Sequence, residues 1–336
     1  MMKMKKVISV LMLLMMTLCA CCMCNAETAA FPRDAAVIGI AWRADTDSEF
    51  FTNICRAIEA AGGEWVLLDQ VFLPDLAYED GKLTEGVAET GALNGGAAKY
   101  LRCNSWHGSN AAEAVGNVSA VIFTGGEDIS PTLYYEPEEW FGIEEERDYN
   151  AERDISDFLT MSYCLDNDIP VIGFCRGMQM LGVISGADII QDISLFFTDR
   201  DIEYNFMHRN QQKTPDAYRD YAAHEVQLVS GSIAAEIYGT ETITGCPSWH
   251  HQAIMSVYQT RLNVTGYTET DGFNMIEAVE RTDKRLAIGF QFHPEAAVVK
   301  HLDNAENKDD YMDYDTAISV FTWLVEEVSQ SMDEAA

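Results

Sequence analysis

Apolar runs too short for helices alternate with stretches in which apolar groups recur at helical spacing. Residues 35–41 form an unbroken apolar run, the length and character of a strand covered on both faces. Phe51, Ile54 and Ile58 then recur at three- and four-residue intervals, which predicts a helix over 48–61, stopped by Gly62-Gly63. Residues 64–68 read as a second strand and 118–124 as a third, closed by Gly125-Gly126. A helix from about 153 to 167 leads into a fourth strand at 169–174. A further helix starts at Arg176 and reaches 183 or 184. Residues 287–292 make another buried strand, and 316–328 a terminal amphipathic helix. Such alternation with short connections predicts one α/β domain over 35–330, a doubly wound, mainly parallel sheet flanked by helices. In sheets of this kind the functional loops converge beyond the carboxyl ends of the strands.

The pattern breaks from 76 to 117, a glycine-rich stretch with little apolar periodicity. Its length exceeds an ordinary connection, so it is expected to be an insertion with structure of its own or a mobile lid, close to the edge of the site. The acidic run from Glu136 to Glu146 is expected to be a solvated loop rather than a metal site.

Residues 1–26 read as an address rather than as fold. Lys3, Lys5 and Lys6 precede an uncharged apolar stretch from Val7 to Cys24, ending at Cys24-Asn25-Ala26, where a signal peptidase finds small residues. Leu18-Cys19-Ala20-Cys21 also fits lipoprotein processing, with Cys21 as a lipid anchor, and eighteen apolar residues reach the lower limit for a retained span. Each of the three readings exports the rest of the chain, and the first two leave the mature protein without a membrane span.

Composition narrows the function. The 336 residues are 48% hydrophobic and 23% charged, enough for a sizeable core. With 54 acidic and 22 basic residues the formal charge is −32, and losing Lys3, Lys5 and Lys6 takes it to −35. A surface this acidic repels phosphate backbones, which excludes nucleic acid as a partner. Outside the leader Cys55, Cys103, Cys164, Cys175 and Cys246 remain, an odd number with no short Cys/His spacing of a metal site. At least one thiol is therefore free.

The chemistry gathers on Cys175. Gly173-Phe174-Cys175-Arg176-Gly177 lies between an apolar strand and a helix, the arrangement of a nucleophile elbow with Cys in place of Ser. The flanking glycines remove side chains that a sharp turn would drive together. The helix start favours a thiolate, and the N–H of Arg176 faces the place where an oxyanion would form. With glycine at about 7% of residues, nine cysteines yield roughly 0.04 chance matches to this motif. His293-Pro294-Glu295 follows another apolar strand. In an extended segment Glu295 would project to the same side as His293 and hold one imidazole nitrogen while the other addresses Cys175. His107, His208, His224 and His301 lack that setting, and His301 is expected at the surface; the His250-His251 pair is the rival base. Gly125-Gly126-Glu127-Asp128 ends a third strand, where Gly126 is placed to give a second oxyanion donor.

Val171-Ile-Gly-Phe-Cys-Arg-Gly-Met-Gln179 and Gln291-Phe-His-Pro-Glu295 resemble the two halves of a class I glutamine amidotransferase-like site, on a flavodoxin-like fold. More narrowly, the chain resembles the gamma-glutamyl-gamma-aminobutyrate hydrolase family. The matches run in family order through Ile38-Gly-Ile40, Thr124-Gly-Gly-Glu-Asp-Ile-Ser-Pro131, Gln191-Asp192-Ile193, Ser248-Trp-His-His-Gln252 and Glu277-Ala278. The resemblance implies hydrolysis of a small gamma-glutamyl amide or peptide through a thioester, without metal or organic cofactor. It implies Cys175 as nucleophile, His293 as base and Glu295 as its orienting partner, with Gly126 and Arg176 as backbone oxyanion donors. Arg176, Gln179, Gln191 and His251 become candidates for the substrate side. Rival readings are a glutaminase subunit feeding ammonia to a synthase, an inactive binding protein on the same fold, and a cysteine peptidase of ordinary peptide bonds. Homo-oligomerisation and the disulfide state of Cys55, Cys103, Cys164 and Cys246 stay open.

Overall fold

The computed structural model describes residues 37–214 and 217–335, with side chains through 330. The leader, Cys21 included, lies outside the described residues. In chain order, β1 (Val37–Ile40) is followed by α1 (Glu49–Ala60) and β2 (Glu64–Leu67). Next come the hairpin of β3 (Tyr78–Glu79) and β4 (Lys82–Leu83), α2 (Gly95–Asn104), α3 (Ala111–Val115) and β5 (Ala120–Phe123). The middle of the chain forms α4 (Ala151–Asp166), β6 (Val171–Phe174), α5 (Arg176–Ser185), β7 (Asp188–Ile190) and α6 (Ile193–Thr198). Then follow β8 (Ala222–Leu228), α7 (Ile233–Tyr238), β9 (Thr242–Ser248), β10 (Ala253–Ser256), β11 (Leu262–Thr270) and β12 (Phe273–Arg281). The chain closes with β13 (Ala287–Phe290), α8 (Pro294–Leu302) and α9 (Tyr314–Ala335).

Among the described residues nine strands join one sheet in the order β2-β1-β5-β6-β13-β12-β11-β8-β9. The five from β2 to β13 are parallel, as the apolar runs predict. The four from β12 to β9 are antiparallel, so the sheet is mixed, with a parallel half that carries the predicted elements. The parallel strands inside the edge strand β2 are covered on both faces. Along β5, Val121 and Phe123 pack with α4 and α5, while Ala120 and Ile122 pack with α1, α8 and α9. β6 and β13 are neighbours in direct register, Ile172 beside Ile288 and Phe174 beside Phe290.

The 76–117 stretch is structured and packed down. Leu93 and Leu101 are wholly buried, and Asn94 caps α2 by accepting from the Ala97 N–H. Ser130 Oγ accepts from Leu93 N at 2.8 Å and Glu152 Oε1 from Leu83 N at 2.7 Å, which ties the stretch to the body. His301 is half-buried and reaches the Met312 carbonyl at 3.1 Å, rather than standing free at the surface. Cys55, Cys103, Cys164, Cys175 and Cys246 are all unpaired. Among the described residues no helix is long and apolar enough to cross a membrane.

Candidate active site

The carboxyl ends of β1, β5 and β6 open on a cleft of about 490 Å³. Cys175 closes its floor. The residue is the N-cap of α5 and adopts φ 50°, ψ −106°, a left-handed conformation unusual for a residue with a Cβ. Strain of this kind costs on the order of 1–3 kcal/mol and persists only where the surroundings enforce it. Here they do. Cys175 N donates to Phe290 O at 2.7 Å, which locks the turn to the neighbouring strand. A Cβ on Gly173 would lie 2.4 Å from the backbone of Gly177, and one on Gly177 would lie 2.3 Å from Phe123 O. Both glycines of the motif are therefore steric necessities.

His293 and Glu295 stand behind the thiol, both wholly buried. They do not lie in an extended segment as the sequence reading expects. Pro294 opens α8, so Glu295 turns back toward His293 from the first helical turn. Glu295 Oε1 and His293 Nδ1 are 2.6 Å apart. His293 Nε2 has no hydrogen-bond partner, and the ring lies close enough to Cys175 to feel its sulfur. Gly125 leaves room for this encounter. A Cβ there would lie 2.7 Å from His293 Cε1 and 3.5 Å from Cys175 Cβ. Burial opposes protonation of His293, but Glu295 and the Cys175 sulfur outweigh it and push the imidazole up to about 10. Phe50 and Tyr221 pack on the ring at centroid distances of 5.3 and 5.4 Å and fix its plane.

Gly126 lines the cleft beside Cys175 with φ 142°, and a Cβ there would collide with the Arg153 guanidinium. Arg176 is the first residue of α5, so its N–H has no acceptor within the helix. Its side chain points away from the cleft and pairs with Asp154 and Asp157 in the interior, which removes the guanidinium from the substrate side. Burial pushes Asp154 up to about 6 even though Arg176 pulls the other way.

The other candidates divide. Gln179 lines the cleft, but its amide nitrogen donates to Gln252 O at 3.1 Å and to Gln291 at 3.3 Å. Gln191 does not reach the cleft. Its amide accepts from Phe141 N and donates to Glu138 and Glu139 O, holding the acidic loop in place. That loop is not merely solvated: Glu146 reaches the cleft and pairs with Arg209 at 2.9 Å. His251 does line the cleft, 2.8 Å from Asp128 Oδ1. Burial would lower its basicity, yet the bond to Asp128 and the nearby Asp192 carboxylate raise it to about 9, which favours the charged ring at neutral pH. None of the residues lining the cleft comes from 76–117.

Two cleft arginines escape the sequence reading. Arg43, held by Asp45 and Thr124, sits just past the end of β1, and its place beyond a parallel strand was the available signal. Arg209 arrives on a long loop, where no local pattern marks it. Cleft acids outnumber cations, with Asp45, Glu127, Asp128, Glu146 and Asp148 against Arg43, Arg209 and His251.

The family model described as Peptidase C26 matches residues 85–295, more than half the chain. Protein NtpR of Enterococcus hirae is 29% identical over 182 residues, covering 54% of this chain and 68% of that protein. A gamma-glutamyl-gamma-aminobutyrate hydrolase of Escherichia coli O157:H7 is 27% identical over 168 residues, covering 50% of this chain and 60% of its own length. A solved glutamine amidotransferase structure from Thermotoga maritima, 14% identical, covers 90% of this chain and 97% of that one with a TM-score of 0.43.

Proposed function

The chain belongs to the Peptidase C26 family, and from that premise we propose that it is an exported cysteine hydrolase of gamma-glutamyl amide bonds, working through a thioester on Cys175. The observation that carries this reading is the strained Cys175 at the cleft floor with the His293–Glu295 pair directly behind it. The Cys175 sulfur attacks the side-chain carbonyl carbon of the glutamyl group. The oxygen takes the negative charge between the N–H groups of Gly126 and Arg176, each such donor contributing about 10²–10³ in rate. His293, protonated by the transfer from sulfur, gives its proton to the departing amine as the C–N bond breaks. It then takes a proton from water, whose oxygen attacks the thioester, and glutamate leaves as sulfur is released.

The glutamyl head group is a zwitterion, and the cleft offers both signs of charge. His251 and Arg209 suit its α-carboxylate, while Asp128 and Asp148 suit its α-ammonium. The acidic surplus favours a neutral or cationic amine over an anionic one. Arg176 is retained as a donor through its N–H alone, and Gln179 and Gln191 as positioning residues.

A panel of gamma-glutamyl amides and peptides, with glutamine included, tests the reading. Wild type is expected to release glutamate from several gamma-glutamyl amides without a partner protein, and Cys175→Ala to release none. Full turnover by Cys175→Ala would end the proposal. Turnover of glutamine alone, and only with a partner present, would favour the glutaminase-subunit reading.

A further inference from the structure

A second cluster of titratable groups lies outside the hydrolytic machinery. His208, His224, His250 and Glu277 come from the loop after α6, from β8, from the β9–β10 connection and from β12. All four are buried, and one ligand atom from each lies within 4.8 Å of the other three. We infer that these side chains form a binding site for a divalent transition-metal ion, of which zinc fits the donor set best.

The hydrogen bonds around the cluster set the ring tautomers. His250 Nδ1 is 2.8 Å from the Gln252 carbonyl, so that nitrogen carries the proton and donates. His224 Nδ1 faces the Glu225 carbonyl at 3.2 Å and is likewise the protonated one. His208 Nε2 is 2.8 Å from Thr270 Oγ1, whose own proton goes to the Met207 sulfur, so the ring donates there too. The remaining nitrogens, His208 Nδ1, His224 Nε2 and His250 Nε2, are bare lone pairs pointing at one another. They and both oxygens of Glu277 are buried without a hydrogen-bond partner. Outer groups that each hold one nitrogen while the other faces inward are the usual support of metal-binding histidines.

Distances agree. Glu277 oxygens lie 3.1, 3.7 and 3.8 Å from the inward nitrogens of His208, His250 and His224. Four donors bound tetrahedrally at zinc distances of about 2.0–2.2 Å stand about 3.4 Å apart. Three imidazoles and a carboxylate are borderline donors that suit zinc over magnesium or calcium. A protonated Glu277 could serve one ring at most by donating its single proton, and the other two lone pairs would remain uncompensated. No short motif marks this set, because residues 208, 224, 250 and 277 meet only through the antiparallel half of the sheet; the expectation of no metal rested on close spacing.

Four protein donors leave no open position, so the ion is structural rather than catalytic. Its neighbours indicate what it would hold. His250 N and Ser248 Oγ both donate to His208 O, at 3.0 and 2.9 Å. The ion would thus pin the segment bearing Trp249 and His251, one wall of the cleft, to β8 and β12.

The test is metal content of the untagged full chain by elemental mass spectrometry, after dialysis against a weak chelator. Roughly one zinc per chain is expected, retained in Cys175→Ala and lost in Glu277→Gln and His224→Ala. Because those two variants could fail to fold, the wild-type chain is also unfolded with a strong chelator and refolded with or without zinc or cobalt. Refolding with zinc is expected to raise the melting temperature, and cobalt to give the intense visible bands of a four-coordinate ion. A refolded wild type with no bound metal and a melting temperature indifferent to zinc overturns the inference and leaves a hydrogen-bonded, protonated Glu277. Loss of the metal in Cys175→Ala overturns it as well, by assigning the ion to the catalytic thiol.

Discussion

Replacing Glu295 by Gln keeps the size of the side chain and removes its charge. Gln can still accept from His293 Nδ1, so the ring stays oriented and the change isolates the carboxylate. The bond that loses its charge is 2.6 Å long between two wholly buried groups. Hydrogen bonds to a charged partner are worth about 1.5–3 kcal/mol. If that stabilisation is expressed when the imidazole is protonated in the transition state, at about 1.4 kcal/mol per tenfold, kcat/KM falls roughly ten- to hundredfold. The pH profile moves as well. His293 is raised from 6.5 to about 10, with burial working against Glu295 and the Cys175 sulfur. The imidazolium therefore persists until pH rises through about 10, and without Glu295 it is lost at lower pH. The alkaline limb of kcat/KM against pH, followed with a chromogenic gamma-glutamyl anilide, is expected to shift downward in Glu295→Gln. An unchanged rate together with an unmoved limb would refute the role assigned to the carboxylate.

Two further predictions concern the frame around that pair. Gly177→Ala sets a Cβ 2.3 Å from Phe123 O, a backbone atom that cannot swing aside. The expected cost is about 1–3 kcal/mol in urea unfolding, and an unshifted midpoint would show that α5 is free to lift off the sheet. His251, raised from 6.5 to about 9 against burial by its bond to Asp128 and the nearby Asp192 carboxylate, contributes stability that is complete below pH 6.5 and lost as pH rises through about 9. The melting-temperature gap between wild type and His251→Asn should accordingly close between pH 7 and pH 10; a gap constant across that range would mean the ring is held by packing instead of charge.

The parallel half of the sheet was legible because strands covered on both faces read as unbroken apolar runs, β1, β5, β6 and β13 among them. The elbow was legible because it needs two glycines at fixed offsets. The antiparallel wing was not. β8 alternates buried and exposed positions and carries His224, Glu225 and Gln227, a pattern without the apolar density that marked its partners. The 76–117 stretch was legible as an insertion with structure of its own, but its helix was not, because Gly95 and Gly96 occupy the first turn of α2, where the cap on Asn94 matters more than propensity. Arg176 misled for another reason. A motif residue beside the nucleophile suggests contact with substrate, but Asp154 and Asp157 sit beneath the helix, far along the chain, and draw the guanidinium inward.

β6 and β13 run side by side in register, and the nucleophile and the base leave the sheet from their adjacent ends. Neighbouring strands are held about 4.8 Å apart by the backbone ladder, so the spacing of the reacting groups is inherited from main-chain geometry and owes little to the loops above. The rim is built separately, from segments that carry Asp128, Glu146, Arg209 and His251. Bond-breaking machinery and recognition surface are thus modular: replacing a rim segment can redirect which amine is accepted while the same hearth beneath it keeps burning.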